Sequence, residues 1–319
     1  MIIFVTTYSH RYTHNAISKA LPFVRQEVYP LLLARRSLPR ATYIFSDFDR
    51  LNFWQLECAA HLYRQLSAAG CRVLNDPASA LQRLPLLRRL HRTGINSFSA
   101  WPADESEAVD SFPVFIRTKS AHRGNLTDLI GDSQAMHAEL GRLVVAGYPV
   151  NDLIIVEYRA EPLGSGVFRK YSVYRLGNRY VAAPSVHERN WTAKMGEDGV
   201  AGAEGYAADL ITVRSNPYQE ALRRAFESAA IDYGRADFGV VDGRPEIYEI
   251  NTNPMMHAAG SHPFADRAEA LRICVEALHA GFQDLDTVSG GPKIRIAPPD
   301  LLSRRGRRYS LFPGYLWLP

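Results

Sequence analysis

The sequence predicts a protein of several lobes in the α/β and α+β classes, and three stretches carry that expectation. Residues 1–80 alternate short apolar, β-prone runs with an amphipathic helix, the pattern of a small βαβ-like lobe. Residues 168–182 and 234–254 each hold two β-prone runs around a tight turn, Gly177-Asn178 in one and Asp242-Gly243 in the other. Both read as β-hairpins. At 319 residues the chain is long enough to bury a substantial core divided among two or three lobes.

Composition excludes several classes. A chain that is 46% hydrophobic and 22% charged is ordinary for a folded protein, which argues against wholesale disorder. No apolar run approaches the length of a membrane span. Cys58, Cys71 and Cys274 are odd in number and far apart, so they form neither a disulfide framework nor a zinc cluster, and a reducing cytoplasm is expected. The net charge of +4 suits phosphate-bearing ligands, but it is too mild to imply nucleic-acid binding.

Ile2–Thr6 lacks the basic start and long apolar stretch of a signal peptide, so it reads as a first strand. The polar residues 8–15 follow at its carboxyl end, where α/β sheets bind ligands. His10 and His14 are therefore candidates for substrate contact, or for a metal pair if that loop is helical. No third ligand accompanies them, and loop residues without a ligand are the simpler reading. Thr42–Phe45 is a second strand. Asp47 or Asn52 is placed to cap a helix running to about Ala69, with Phe53, Leu56, Ala60 and Tyr63 on one stripe and Gly70 as its stop. Residues 71–74 give a third strand. No Gly-x-Gly-x-x-Gly or phosphate-loop lysine motif marks this lobe as a nucleotide site.

Residues 79–93 read as a Leu- and Arg-rich helix, residues 101–111 as an acidic linker, and residues 112–117 as a strand entering a basic loop. A helix at 132–146 carries Met136, Leu140, Leu143 and Val144 at core spacing. Residues 152–158 form a buried strand ending in Glu157 and Tyr158. Beyond the first hairpin, residues 185–194 are dense in donors: Arg189 and Lys194 suit phosphates or a carboxylate, and Trp191 would pack a wall. The Gly and Ala content of residues 201–209 suggests mobility. Asn216-Pro217-Tyr218-Gln219 looks like a helix start, followed by a buried face of Leu222, Ala225, Phe226, Ala229 and Ala230. His257 and His262 flank a Gly-Ser turn as pocket or loop residues. A last amphipathic helix spans 267–281. The tail from 287 is rich in Gly, Pro and Arg, and its aromatic end is expected to dock on the body or on another subunit, which would make a homodimer.

The second hairpin carries the chemistry. Arg235 and Asp237 share one face of its first strand, and Glu249 and Asn251 share one face of its second. Whether the two sets meet depends on the turn. A two-residue loop would put Asp237 opposite the Glu249 face, whereas an odd loop with Gly243 left-handed brings all four together, and the odd loop is the expectation. Two carboxylates and an amide oxygen form a hard donor set suited to Mg²⁺ shared with nucleotide phosphates. A solvated hairpin with charged edges is the plain alternative.

Arg235-x-Asp237, a hairpin, and then Glu249-x-Asn251-x-x-Pro254 resembles the metal-binding hairpin of the ATP-grasp superfamily, especially its D-alanine–D-alanine ligase and carboxylate-amine ligase branch. The resemblance covers roughly residues 80–280 and is carried by 235–254, with support from 112–158. It implies an ATP-grasp fold with an N-terminal pre-ATP-grasp α/β lobe and with ATP held between two α+β lobes. Asp237, Glu249 and Asn251 would hold Mg²⁺ (or Mn²⁺), and Arg235 would face an acyl-phosphate intermediate. Arg88 or Arg89 is the nearest counterpart of a phosphate-binding helix lysine. Arg117 stands where a strand lysine is usual, with Lys119 and Arg123 as further phosphate contacts. Glu157 and Tyr158 would lie beside adenine. Lys170 replaces the usual ribose-binding glutamate, leaving Glu161 as substitute, and Met255 replaces a glycine.

The implied layout is an N-terminal lobe (1–80), a connecting helix and linker (81–111), a central ATP-grasp lobe (112–160), a C-terminal ATP-grasp lobe (161–286) and a basic, aromatic tail (287–319). The implied activity is ATP- and Mg²⁺-dependent ligation of a carboxylate to an amine, with amino acids or peptides as small-molecule substrates and neither membrane nor nucleic acid as partner. Two alternatives share the resemblance: an ATP-grasp kinase that phosphorylates a hydroxyl, and a nucleotide-binding regulatory protein that has lost catalysis.

Overall fold

A computed structural model describes residues 1–120, 124–164, 166–258, 260–287 and 290–297. The expected phosphate contact Arg123, the basic run at 304–308 and the aromatic end lie outside the described residues.

The chain begins with β1 (Ile2–Thr6), α1 (Asn15–Ala20), β2 (Val24–Val28), α2 (Tyr29–Leu33), the short β3 (Ser37–Leu38), β4 (Thr42–Phe45), α3 (Phe53–Ala68) and β5 (Val73–Leu74). Strands β2-β1-β4-β5 form a parallel sheet, and every residue of β1 and β4 is buried, as covered parallel strands require. Helix α3 is capped by Asn52, whose side chain and that of Gln55 each accept the other's backbone N–H. Asp47 is not the cap. It is fully buried in the left-handed conformation (φ 61°), takes hydrogen bonds from Thr7 and Arg50, and donates its own N–H to Thr252 Oγ1 at 3.0 Å.

The middle of the chain gives α4 (Arg83–Arg92), β6 (Ala100–Pro102), β7 (Val114–Thr118), α5 (Ser133–Val145) and β8 (Leu153–Glu157), with sheet order β6-β8-β7. Strand β6 overlaps the start of the stretch expected to be a linker: Ala100-Trp101-Pro102 pairs with Val156, Ile155 and Ile154, and the acidic residues come only after it. Asp132 caps α5, and Met136, Leu140 and Leu143 are buried. Val144 is 48% exposed because it falls one step off their stripe.

The second half holds β9 (Phe168–Leu176), β10 (Arg179–Glu188), α6 (Ala203–Ser215), α7 (Gln219–Ala229), β11 (Tyr233–Val241), β12 (Arg244–Asn251), α8 (Ala265–Leu285) and β13 (Ile294–Arg295). Strands β10-β9-β11-β12 form an antiparallel sheet, and β13 pairs with β3. Helix α6 replaces the mobile segment expected from composition, because Leu210 and Val213 pack on Ala270 of α8. Asn216 is not the start of α7. It adopts the left-handed conformation (φ 44°) as the C-cap of α6, and Ala230 does the same for α7, which leaves Ala230 exposed. Ile2, Phe4, Tyr174, Tyr233, Leu278 and Phe282 share one core, so the first sheet and the last helix are packed as one body. No helix among the described residues is long and apolar enough to cross a membrane.

Two buried histidines, His14 and His187, and the half-buried His257 set an acid limit to this packing. His14 stacks on Phe4 with centroids 3.6 Å apart, and burial pushes its pKa down to about 3. Burial also lowers His187 and His257 to about 4, with Arg169 acting further on His187 and Arg235 on His257. Folding therefore requires the neutral imidazoles, whereas the unfolded chain protonates them near 6.5. Their contribution is complete above about pH 6.5 and is lost as pH falls toward 4. At pH 5 the loss is about 2 kcal/mol for each of the buried pair His14 and His187. Urea midpoints measured at pH 7.5 and pH 5 check this, and equal midpoints would refute it.

Candidate active site

The site is built on the β11–β12 hairpin. Its turn is even: Asp242 (φ 50°) and Gly243 (φ 74°) are both left-handed and join the pair Val241–Arg244. The expected odd loop is therefore absent, and strict alternation from this turn would put Tyr248 opposite Asp237. Instead the register steps by one, from Phe238–Ile247 to Asp237–Glu249, so Tyr248 forms a β-bulge. An even turn plus a bulge gives the parity the site needs: Asp237 pairs with Glu249, and Arg235 with Asn251. Gly239 makes room for the bulge. A Cβ there would lie 2.1 Å from Tyr248 Oη, which instead donates to Arg159 O at 3.1 Å.

Asp237 is buried at 3% exposure and accepts from Arg235 Nε (2.7 Å) and Nη2 (3.0 Å) and from Ser172 Oγ (3.0 Å), with Lys170 Nζ at 3.4 Å. Burial alone would raise its pKa, but Arg235 and then Lys170 reverse that and hold it below the ordinary carboxylate value. Glu249 faces Arg83 Nη2 at 3.0 Å and Arg117 Nη2 at 3.8 Å. Burial, and then neighbouring Arg83, pull the Arg117 pKa down to about 10, so it stays charged at neutral pH, and among the described residues its buried Nε has no hydrogen-bond partner. Arg83 also donates to the carbonyls of Thr118 (2.9 Å) and Lys119 (3.2 Å), so it joins α4, β7 and β12.

Of these groups, Arg117, Lys170, Asp237 and Glu249 line one end of a cleft. Its other end is apolar, walled by Phe98, Phe115, Val156, Tyr158 and Trp191. The Trp191 ring stands 4.9 Å from Phe115 and 5.4 Å, edge-on, from Tyr158. Of the residues expected from the sequence, the cleft brings together Arg117, Glu157, Tyr158, Glu161, Lys194, Asp237 and Glu249. Glu157 also accepts Ser99 N–H at 3.1 Å, and Glu161 accepts Asp242 N–H at 3.0 Å, which ties the segment after β8 to the hairpin tip. Arg235 lies beneath Asp237 against the Tyr174 ring. Asn251 borders a smaller recess with Arg83 and Glu249, and its Oδ1 accepts Asn253 N–H at 2.8 Å.

Other expected residues fall elsewhere. Arg88 is exposed and pairs with Glu105, Lys119 is exposed, and Arg189 pairs with Glu197 at 2.6 Å. The α4 cation that reaches the site is Arg83, one helical face away from Arg88. His14 sits in the core, bonded to Tyr233, and makes no metal pair with His10. Among the described residues no three His, Cys, Asp or Glu side chains cluster as a metal cage. Two carboxylates and an amide beside several cations instead fit Mg²⁺ that keeps waters and shares phosphate oxygens.

This architecture matches solved structures. The ATP-grasp ligase PsnB, solved with a phosphomimetic variant of its minimal precursor, Mg and ADP, is similar at a TM-score of 0.52, with 14% identity over 89% of this chain and 97% of that one. The chain has the ATP-grasp fold. VanG D-Ala:D-Ser ligase from Enterococcus faecalis is similar at 0.51, with 11% identity over 89% and 98% of the two chains. A RimK domain ATP-grasp protein from Sphaerobacter thermophilus DSM 20745 is similar at 0.50, with 15% identity over 90% and 100%. No family profile and no curated protein matches the sequence. At these identities the likeness is one of ATP-grasp fold.

Proposed function

We propose that this ATP-grasp protein is an ADP-forming carboxylate-amine ligase. The observation that carries the reading is the Asp237–Glu249 pair, set by a bulge and ringed by Arg83, Arg117 and Lys170 at the polar end of a cleft with an apolar far end. The apolar end suits a nucleotide base, with Glu157, Tyr158 and Glu161 beside it. The cations suit a polyphosphate. Asp237, Glu249 and Asn251 would hold Mg²⁺, which neutralises phosphate charge when bound.

In the proposed reaction a substrate carboxylate oxygen attacks the γ-phosphorus, the bond from that phosphorus to the bridging oxygen breaks, and ADP leaves. An amine then attacks the acyl carbon, releasing phosphate and a proton and forming the amide. Arg117, Lys170 and Lys194 would orient the phosphates, and Arg235 would face the acyl phosphate, so catalysis is positioning and charge neutralisation. ATP turnover against mixtures of amino acids and small acids, with mass analysis of products, tests this. ADP with an amide supports it, ADP with a phosphorylated alcohol makes the protein a kinase, and no calorimetric nucleotide binding with or without Mg²⁺ refutes both.

A further inference from the structure

The chain leaves β10 at Glu188 and folds back on itself. Glu188 Oε1 accepts three successive backbone N–H groups, from Lys194 (2.7 Å), Met195 (2.8 Å) and Gly196 (2.8 Å). Such a nest of amides is an anion site, filled here by the chain's own carboxylate, and Gly196 (φ 89°) takes the left-handed conformation at its end. Glu197 fastens the other side: it accepts Arg189 N–H at 3.0 Å, pairs with the Arg189 guanidinium, and donates its own N–H to His187 O at 2.9 Å. Asn190 Oδ1 accepts Thr192 N–H at 2.9 Å. Across the cleft, Trp191 rests on Phe115 of β7 and on Tyr158, and Lys194 Nζ lies where a Cβ on Gly124 would be only 2.6 Å away.

We propose that Glu188 is a positioning residue whose carboxylate prefolds residues 189–197 into a flap spanning the cleft. The flap sets Trp191 on the apolar end and Lys194 on the polar end, so one rigid element grips both ends of a bound nucleotide. What is gripped rests on the proposed function, whereas the folding of the flap does not. A carboxylate suits the nest because charge-assisted hydrogen bonds are stronger than neutral ones, and all three donors converge on one oxygen.

The test uses the full chain with Glu188→Ala and Glu188→Gln, and takes Trp191 emission as the difference between each protein and its Trp191→Phe counterpart. Without ligand, Glu188→Ala is expected to red-shift Trp191 and raise its quenching by iodide several-fold, with an unchanged far-UV spectrum. Glu188→Gln keeps an accepting oxygen of the same shape and should fall between. Trp191 emission and quenching unchanged in both variants would overturn the proposal. With ATP and Mg²⁺, the Kd of Glu188→Ala should rise about tenfold, the size of one lost charge-assisted contact. A wild-type Kd in a variant whose Trp191 is released would overturn the gripping role. Failure of the wild type to bind nucleotide would remove the ligase reading, while the ligand-free quenching still decides the flap.

Discussion

Asp237→Asn is expected to cut ATP turnover by about a thousandfold and to destabilise the protein measurably. Arg235 and Lys170 both converge on the Asp237 carboxylate, and Arg235 is held by two hydrogen bonds to it. The amide keeps the shape but removes the charge, so a half-buried guanidinium loses the carboxylate that it pairs with. Breaking a buried pair from one side typically costs about 3–5 kcal/mol. The kinetic loss has a separate origin: one hard oxygen donor leaves the proposed Mg²⁺ set, and removal of a single preorganised electrostatic group typically costs about 10²–10³ in rate. Urea unfolding reads the first effect. Turnover and the Mg²⁺ dependence of nucleotide binding read the second, with Glu249→Gln as the parallel case. Wild-type turnover in a folded Asp237→Asn protein would refute the metal assignment, whatever its stability.

The charge arrangement also balances the two carboxylates within the chain itself. Asp237 and Glu249 are buried or half-buried and close together, and each is met by cations: Arg235 and Lys170 on one, Arg83 and Arg117 on the other. Among the described residues these four cations outnumber the two carboxylates, and Arg117 and Lys170 face the cleft itself. Such an excess suits a polyphosphate more than a bare divalent cation, which would have to compete with the arginines for both carboxylates.

Much of this was legible in the sequence because period and turn chemistry are local. The wholly buried strands Ile2–Thr6 and Thr42–Phe45 announce themselves as apolar runs, and Asn52 with Gln55 announces the start of α3. The pairing of Asp237 with Glu249 was only half legible: the shared face was expected from an odd loop, whereas the turn is even and the parity comes from a bulge at Tyr248. A glycine at 239, in mid-strand, was the available signal, since it is the residue onto which the bulged tyrosine leans. Helix α6 was hidden because its Gly- and Ala-rich start resembles a loop, and only packing on Ala270 fixes it. The Asn216-Pro217 pair fits the end of one helix as well as the start of the next, and only the left-handed φ of Asn216 decides. Arg83 was missed for a similar reason. On an arginine-rich helix every cation has the same local pattern, and the one that matters is chosen by β7 and β12, both distant in sequence.

Arg83→Met should therefore cost far more than any other arginine substitution on α4. Its guanidinium reaches Glu249 at 3.0 Å and the backbone oxygens of Thr118 and Lys119, and it is buried at 7% exposure. Methionine fills much of the same volume but donates nothing, so two carbonyls lose a donor and Glu249 keeps Arg117 at 3.8 Å as its next cation. Truncating one side of such a buried charged contact is expected to lower stability by about 3 kcal/mol. It should also raise the Kd for ATP about a hundredfold, because the cation excess around the two carboxylates falls and the strand β7 that carries Arg117 loses its tie to α4. Arg83→Lys retains the charge, but a single ammonium cannot serve a carboxylate and two carbonyls in a fixed fork, so its losses should be intermediate. Arg88→Ala, by contrast, breaks an exposed pair with Glu105 and should change stability by less than about 0.5 kcal/mol and leave affinity unchanged. Urea midpoints and nucleotide calorimetry on the three variants check the ranking. Equal behaviour of Arg83→Met and Arg88→Ala would show that the contacts of Arg83 with Glu249 and β7 support neither stability nor nucleotide affinity.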